Sequence, residues 1–383
     1  MKNITSSASF ADSKPHYDIL DGLRGVAALL VIWYHVFEAF ATSPLDQGFN
    51  HGYLAVDFFF VLSGFVVGYA YDDRWKRMRM RDFFKRRLIR LHPMVVMGAL
   101  LGVVTFVVQG CVKWDGTPVP FSHVMLAMLL GLFLIPALPG SAPEVRGNGE
   151  MFPLNGPSWS LFFEYIGNLL YALFLHRLST RALAVLVAVA GAGLASFALF
   201  NLSGFGHLGV GWSLLDYNLP GGLLRMTFSF SAGLLMSRVF RPVHIRGTFW
   251  WCSLGVAVLL CIPHLGADGT LWHNGLYDSL CTLFFFPLLV WLGASGRTTD
   301  RGSTCICKFL GDISYPLYII HYPFMYLFYA WVWREGLSFS QAWPVAVAVF
   351  VGSILLAWLC LKLYDGPVRR WLSRKFLERR TGK

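Results

Sequence analysis

Asp21-Gly-Leu-Arg24-Gly-Val-Ala-Ala-Leu-Leu-Val-Ile-Trp-Tyr-His35 is an apolar stretch carrying an arginine and a histidine eleven residues apart. At about 100° per residue, eleven steps sum to about 1,100°, within about 20° of a whole number of helical turns. A helix here therefore puts Arg24 and His35 on one stripe, about 16 Å apart along its axis. With Arg24 at one membrane face, His35 lies a little beyond mid-bilayer. Ionisable groups at that depth are costly and are usually kept for function.

Outward from this stretch the chain stays apolar. It is 383 residues long and 56% hydrophobic, too apolar for a water-soluble protein of this size. Runs near membrane-spanning length recur at 20–41, 53–71, 93–111, 123–139, 158–176, 182–200, 221–239, 247–264, 276–295, 309–331 and 341–363. The expected fold is all-α, a polytopic membrane protein. Its expected organisation is a cytoplasmic segment at 1–17, a membrane domain at 18–364 and a basic cytoplasmic tail at 365–383. Residues 1–17 are polar and lack the apolar core of a signal peptide, so the first helix is expected to stay as an anchor.

The net charge of +11 suggests nucleic acid until the charges are placed. Of the 32 Lys and Arg, 28 fall before and within the first helix entry, in 72–92, 177–181, 238–246 and 297–308, and from Lys362 onward. Lys113, Arg146 and Arg334 lie in the opposite loops, and Arg225 lies inside a helix. This asymmetry is the positive-inside pattern, with both termini cytoplasmic. A soluble nucleic-acid binder is excluded on hydropathy. Parity adds a constraint. The stretches 72–92 and 177–181 both belong inside, yet three apolar segments separate them. One therefore does not cross. The choice falls on 123–139, which is short and ends in Pro136-Ala-Leu-Pro139. A re-entrant or interfacial helix there leaves about ten spans.

The seven cysteines form no metal-ligand cluster, and Cys305-Ile-Cys307 has no partner pair. They read as packing thiols, with no metal site expected.

Several polar groups interrupt the apolar helices. The imidazole of His35 is suited to general-base work on a hydroxyl. Arg24, always protonated, is suited to an anion or a carbonyl. Asp57, in Gly52-Tyr-Leu-Ala-Val-Asp57, is a buried carboxylate expected to orient His35 or to pair with an arginine; a helix-end cap is the plainer reading. Ser63-Gly64 reads as a close-packing notch. Nine basic residues crowd Arg74 to Arg90. Part of that run is membrane-surface charge. Arg87 and Arg90 share a face at i, i+3 and, with neighbouring Arg86, are candidates for a polyphosphate ligand such as a cytoplasmic nucleotide-like donor. Lipid headgroups would suit the same charges.

In Pro157-Ser-Trp159-Ser-Leu-Phe-Phe-Glu164-Tyr-Ile-Gly-Asn168, a Pro-Ser start opens a helix. Counting from that start, Glu164 lies about two turns in, at the expected depth of His35, and could pair with it. Trp159 and Asn168 flank it as substrate candidates. Arg225, in Pro220-Gly-Gly-Leu-Leu-Arg225, could neutralise Asp57 or Glu164 or meet substrate. Leu310-Gly-Asp-Ile-Ser314-Tyr315-Pro316-Leu-Tyr318-Ile-Ile-His321-Tyr-Pro323 holds two prolines, expected to distort a helix that lines a cavity. Ser314, Tyr315 and His321 are further substrate candidates, His321 also reading as a structural contact.

Taken together, these residues resemble the acyltransferase-3 family of integral-membrane O-acyltransferases. The resemblance runs over nearly the whole chain, in order. It is carried by Arg24-x10-His35, by Val56-Asp57-Phe-Phe-Phe-Val-Leu-Ser-Gly64-Phe65, and by Arg87-Leu-Ile-Arg90-Leu-His-Pro93. Trp159-Ser-Leu-Phe-Phe-Glu164 and Leu310-Gly-Asp-Ile-Ser314-Tyr315 with His321 complete it. It implies a ten-helix core, essential Arg24 and His35, and transfer of an acyl group, usually acetyl, from cytoplasmic acyl-CoA to a hydroxyl of an extracytoplasmic acceptor. Such acceptors are commonly cell-surface glycans or glycolipids. On that resemblance acyl-CoA is a donor substrate with no resident cofactor, and the setting is a bacterial inner membrane. Arg24, Arg86, Arg87 and Arg90 are then expected to hold the donor, with Glu164 as the orienting carboxylate. Many members carry an aromatic pair where Gly167 and Asn168 stand here. Many glycan-modifying members also carry a C-terminal hydrolase-like domain. Here the expectation is that the chain completes transfer alone or passes the acyl group to a separate extracytoplasmic protein.

Two other classes fit parts of the pattern. Buried Arg, His, Asp and Glu also suit a transporter of a glycolipid or small molecule, though no inverted repeat is visible. A non-catalytic scaffold for envelope assembly is the third.

Overall fold

The computed structural model describes residues 14, 16–43, 45–243, 245–267, 269–298 and 300–377. Most of the expected 1–17 segment and the end of the expected tail, 378–383, lie outside the described residues. The described chain is all-helical. Its β-type pairs are isolated bridges, Val112 with Pro118 and Glu150 with Ser213.

Thirteen α-helices follow one another: α1 Asp18–Glu38, α2 Ala55–Tyr71, α3 Met80–Val108, α4 Phe121–Leu132, α5 Ser158–Leu173, α6 Thr180–Leu199, α7 Asn218–Val239, α8 Thr248–Cys261, α9 Trp272–Leu280, α10 Phe286–Ser295, α11 Arg301–Glu335, α12 Phe339–Cys360 and α13 Gly366–Phe376. Single π-helical turns, Cys281–Phe285 and Leu361–Asp365, join α9 to α10 and α12 to α13. Among the described residues, six of the resulting helices are long and apolar enough to cross a bilayer: α1, α2 with its flanking turns, α3, α6, α9–α10 and α12–α13. The segment expected not to cross, 123–139, holds a helix shorter than its apolar run. Here α4 has 12 residues, about 18 Å against the roughly 30 Å of a hydrocarbon core, and 133–157 continues without a helix. The basic stretch 72–92 is largely helical, because α3 starts at Met80 rather than near residue 93.

Small residues set the helix packing. A β-carbon at Gly64 of α2 would collide with the Phe230 carbonyl of α7, and one at Gly233 would collide with the Val61 carbonyl. The two helices therefore touch backbone to backbone, and the Ser63-Gly64 notch is half packing device as expected. In the same way a β-carbon at Gly311 of α11 would sit 2.7 Å from the Asp21 Cβ of α1. Helices α1, α2, α7 and α11 thereby form the centre of the bundle.

Helix α11 is continuous over 35 residues, with both Pro316 and Pro323 inside it. A proline at position i leaves the i−4 carbonyl without its helical donor. For Pro323 that carbonyl belongs to Ile319, and the buried Asn155 donates to it from Nδ2 at 3.0 Å. A loop residue thus replaces the missing bond and holds the start of α5 against the middle of α11.

Candidate active site

Two cavities share a wall inside the bundle. The smaller, about 90 Å³, is lined by Arg24, Ser63, Arg87, Arg90, Glu164, Ser314, Tyr315 and Tyr318, among others. The larger, about 420 Å³, holds His35, Glu38, Glu150, Trp159, His207 and Arg225 among a largely aromatic lining. Val56 and Tyr318 line both. The α1 stripe read from the sequence thus delivers Arg24 to one cavity and His35 to the other.

In the arginine cavity, Arg24 Nη1 donates to Asp21 Oδ1 at 2.8 Å. Arg87 is buried and its Nη2 donates to Glu164 Oε1 at 2.6 Å. Ser63 Oγ donates to the same oxygen at 2.7 Å. Arg90 is exposed on the same wall, two cationic side chains from one face of α3. Tyr315 reaches back to the Leu91 carbonyl at 2.5 Å, and Ser314 caps the Gly311 carbonyl of its own helix at 2.8 Å. Arg86, expected beside Arg87 and Arg90, is not on the wall.

In the histidine cavity, His35 Nδ1 lies 2.7 Å from Glu38 Oε2. A carboxylate only accepts, so Nδ1 carries a proton; in the neutral ring Nε2 is then the nitrogen with the lone pair. Tyr329 holds the arrangement: its single hydroxyl proton is shared between Glu38 Oε2 at 2.9 Å and the His35 carbonyl at 2.8 Å. His321 stacks on His35 with ring centroids 5.6 Å apart. Its Nδ1 meets the Leu317 carbonyl at 3.1 Å, and its Nε2 has no protein partner.

Two expected pairings with His35 are not made, and the alternative expected for Asp57, a pair with an arginine, is made. Asp57 does not orient His35. It is fully buried against Arg225, whose Nη2 donates to Asp57 Oδ2 at 2.6 Å and whose Nε spans both oxygens at 3.1 Å. Arg225 also bonds the Val210 and Tyr53 carbonyls, at 2.7 and 2.8 Å. Glu164 does not reach His35 either, because α5 begins inside the protein: Asn155 and Ser158 are buried. Counting depth from that helix start as if it were the membrane surface places Glu164 too near the histidine. Asn168 bonds the Glu164 carbonyl at 2.7 Å and lines neither cavity. Trp159 does line the histidine cavity, with the Arg225 guanidinium 5.3 Å from its ring centre.

Glu38, Tyr329, Glu150 and Arg146 were not singled out by the sequence reading. Glu38 had a local signal, three residues after His35 on the same helix. The others are set by tertiary contacts. Arg146, assigned from sequence only to an outer loop, is fully buried. Its guanidinium lies 3.6 Å from the Tyr326 ring centre, and Nε donates to the Pro153 carbonyl at 2.8 Å. Tyr326 in turn donates to Glu150. This chain fixes the 133–157 segment as one wall of the large cavity.

The acyltransferase-3 family, described as an acyltransferase domain, matches residues 17–362. Protein 2 in the picA locus of Rhizobium radiobacter is 33% identical over 182 residues, 45% of this chain and 88% of that protein. The acyltransferase MdmB of Streptomyces mycarofaciens is 25% identical over 93% of this chain and 92% of its own length. The peptidoglycan O-acetyltransferase OatA of Listeria monocytogenes is 33% identical over 86 residues, 22% of this chain and 12% of that protein. No solved structure matches. The chain belongs to the acyltransferase-3 family and is an acyltransferase.

Proposed function

We propose that this protein is a membrane O-acyltransferase that takes an acyl group, acetyl by preference, from cytoplasmic acyl-CoA and places it on a hydroxyl of an acceptor at the opposite membrane face. The observation that carries the reading is the shared wall: Arg24 and His35 stand on one helix stripe, face two cavities, and Val56 and Tyr318 divide the two. About ten spans are proposed, with α4 not crossing and both termini cytoplasmic, because the basic stretches then lie on one side. Arg87 and Arg90 of the arginine cavity belong to that basic stretch, so the cavity is assigned to the cytoplasmic side of a bacterial inner membrane.

Arg24, Arg87 and Arg90 hold the CoA phosphates, guanidinium forks suiting phosphate oxygens. The pantetheine arm passes Val56 and Tyr318 to bring the thioester carbonyl to the large cavity. His35 Nε2 takes the proton of the acceptor hydroxyl as its oxygen attacks the carbonyl carbon. The C–S bond breaks, and the thiolate recovers that proton from the imidazolium. Glu38 keeps Nδ1 protonated and stabilises the imidazolium. A relay in which Nε2 first takes the acyl group uses the same atoms. A glycan or glycolipid acceptor is supported by the aromatic wall and by the peptidoglycan O-acetylation named for the Listeria relative.

The test uses inverted membrane vesicles given acetyl-labelled acetyl-CoA, with wild type and His35→Ala at matched expression. Base-labile label in a glycan or glycolipid fraction, absent from the variant, supports the reading. Equal label in both removes His35 from the chemistry and favours transport.

A further inference from the structure

Attack on a thioester carbonyl puts negative charge on its oxygen, and donors aimed at that oxygen carry much of the rate in acyl transfer. His35 is the base of the reaction and does not serve there. The tyrosines that line the large cavity with it differ in one respect. Four hydroxyls are engaged: Tyr53 with Asp278, Tyr318 with Ser160, Tyr326 with Glu150 and Tyr329 with Glu38. The hydroxyls of Tyr34, Tyr217 and Tyr322 have no hydrogen-bond partner among the described residues, and all three side chains are partly exposed on the cavity lining. Tyr34 and Tyr322 stand against the imidazole, with ring centroids 4.9 and 4.6 Å from that of His35. Tyr217 is not among the rings packed on His35.

Both rings are fixed from behind. A β-carbon at Gly52 would collide with Cβ and Cγ of Tyr34, and one at Gly156 would lie 2.7 Å from Tyr322 Cε1. The Tyr326 ring packs nearly perpendicular to Tyr322, with centroids 4.7 Å apart. Close backing leaves each phenol little but its hydroxyl torsion to adjust, which suits a donor that costs no reorganisation during the reaction. Arg225 is the rival donor on this lining. One of its Nη1 protons has no partner, yet its side chain is fully buried around Asp57. A cation is also the poorer choice near His35, because it opposes the imidazolium that forms there; a neutral phenol does not.

We propose that the Tyr322 and Tyr34 hydroxyls donate hydrogen bonds to the thioester carbonyl oxygen as its negative charge develops. The acceptor oxygen bonds the carbonyl carbon, the C=O pair moves onto oxygen, and His35 Nε2 takes the acceptor's proton. The C=O then re-forms, the C–S bond breaks, and the thiolate leaves with the imidazolium proton. Each phenol keeps its own proton throughout. The assignment rests on the acyl-transfer reading and adds the charge-stabilising groups that the reaction needs.

The test measures base-labile label in inverted membrane vesicles given acetyl-labelled acetyl-CoA, for wild type, Tyr322→Phe and Tyr34→Phe at matched membrane abundance. Phenylalanine keeps the ring and removes only the hydroxyl. Loss of one oxyanion donor costs about 10²–10³-fold in kcat. The rate at saturating acetyl-CoA should therefore fall about a hundredfold in Tyr322→Phe and at least about tenfold in Tyr34→Phe. The acetyl-CoA concentration for half-maximal rate should stay within about twofold, and the pH–rate profile should keep its wild-type shape, because His35 still takes the proton. A packing role would leave both variants near the wild-type rate. If Tyr322→Phe does not accumulate in the membrane, Tyr34→Phe decides alone. A wild-type rate in either variant overturns the proposal, as does a shifted pH–rate profile or a loss confined to donor half-saturation. Failure of the acyl-transfer reading is distinct: wild-type vesicles then take up no label, which overturns that reading and this proposal together.

Discussion

Glu38 Oε2 sits 2.7 Å from His35 Nδ1 and takes a second bond from the Tyr329 hydroxyl. One carboxylate oxygen therefore fixes the tautomer and the ring plane of the histidine that faces the large cavity. Both residues lie on α1, one turn apart, so the pair forms as soon as the helix does.

Replacing Glu38 by Gln should lower kcat by about a hundredfold while KM for acyl-CoA changes little, since general-base catalysis contributes roughly 10²–10⁴-fold. Tyr329→Phe keeps the carboxylate and should cost about tenfold by the loss of one bond to a charged group. Steady-state kinetics on reconstituted protein separates the two.

Arg87 should show the opposite split. Arg87→Ala should raise KM for acyl-CoA with a smaller change in kcat, because Arg87 faces the cavity on the far side of Val56 and Tyr318. It also strips Glu164 of its partner, and breaking a buried pair costs about 3–5 kcal/mol. Adding Glu164→Gln should recover thermal stability in detergent without recovering donor affinity. Recovery of both would assign Arg87 to folding alone.

The Asp57–Arg225 pair, 168 residues apart and fully buried, should behave as structure. Asp57→Ala and Arg225→Ala should each destabilise by about 3–5 kcal/mol, and the double variant by less than their sum. A thermal-unfolding cycle gives the coupling. An Asp57→Asn protein of normal stability with a shifted pH–rate profile would return Asp57 to the chemistry.

Asn155→Ala should free the Ile319 carbonyl that Pro323 leaves without a helical donor, costing about 1–3 kcal/mol for a buried unsatisfied acceptor. Combining it with Pro323→Ala, which restores the helical donor, should return most of that loss.

The central stripe was legible because helical periodicity alone puts Arg24 and His35 on one face. The basic face of α3 was legible in the same way through Arg87 and Arg90. Partners were not. Whether Arg225 meets Asp57 or Glu164 depends on which helices adjoin, and glycines such as Gly64 and Gly233 decide that through contacts between distant segments. Glu164 was misplaced because a helix starting at a buried Ser158 has no membrane surface to count from. Glu150 and Arg146 lie in an irregular segment without periodicity, where burial cannot be read from the sequence. Glu38 was within reach, as a carboxylate one turn from an intramembrane histidine.

The most direct measurement of the division between the two cavities is equilibrium binding of labelled acetyl-CoA to purified wild type, Arg24→Ala and His35→Ala, paired with transfer assays on the same preparations. His35→Ala should bind the donor as wild type does and transfer nothing, while Arg24→Ala should lose donor affinity by about tenfold or more. Loss of donor binding in His35→Ala with retention in Arg24→Ala would contradict the assignment of donor and chemistry to opposite ends of the stripe.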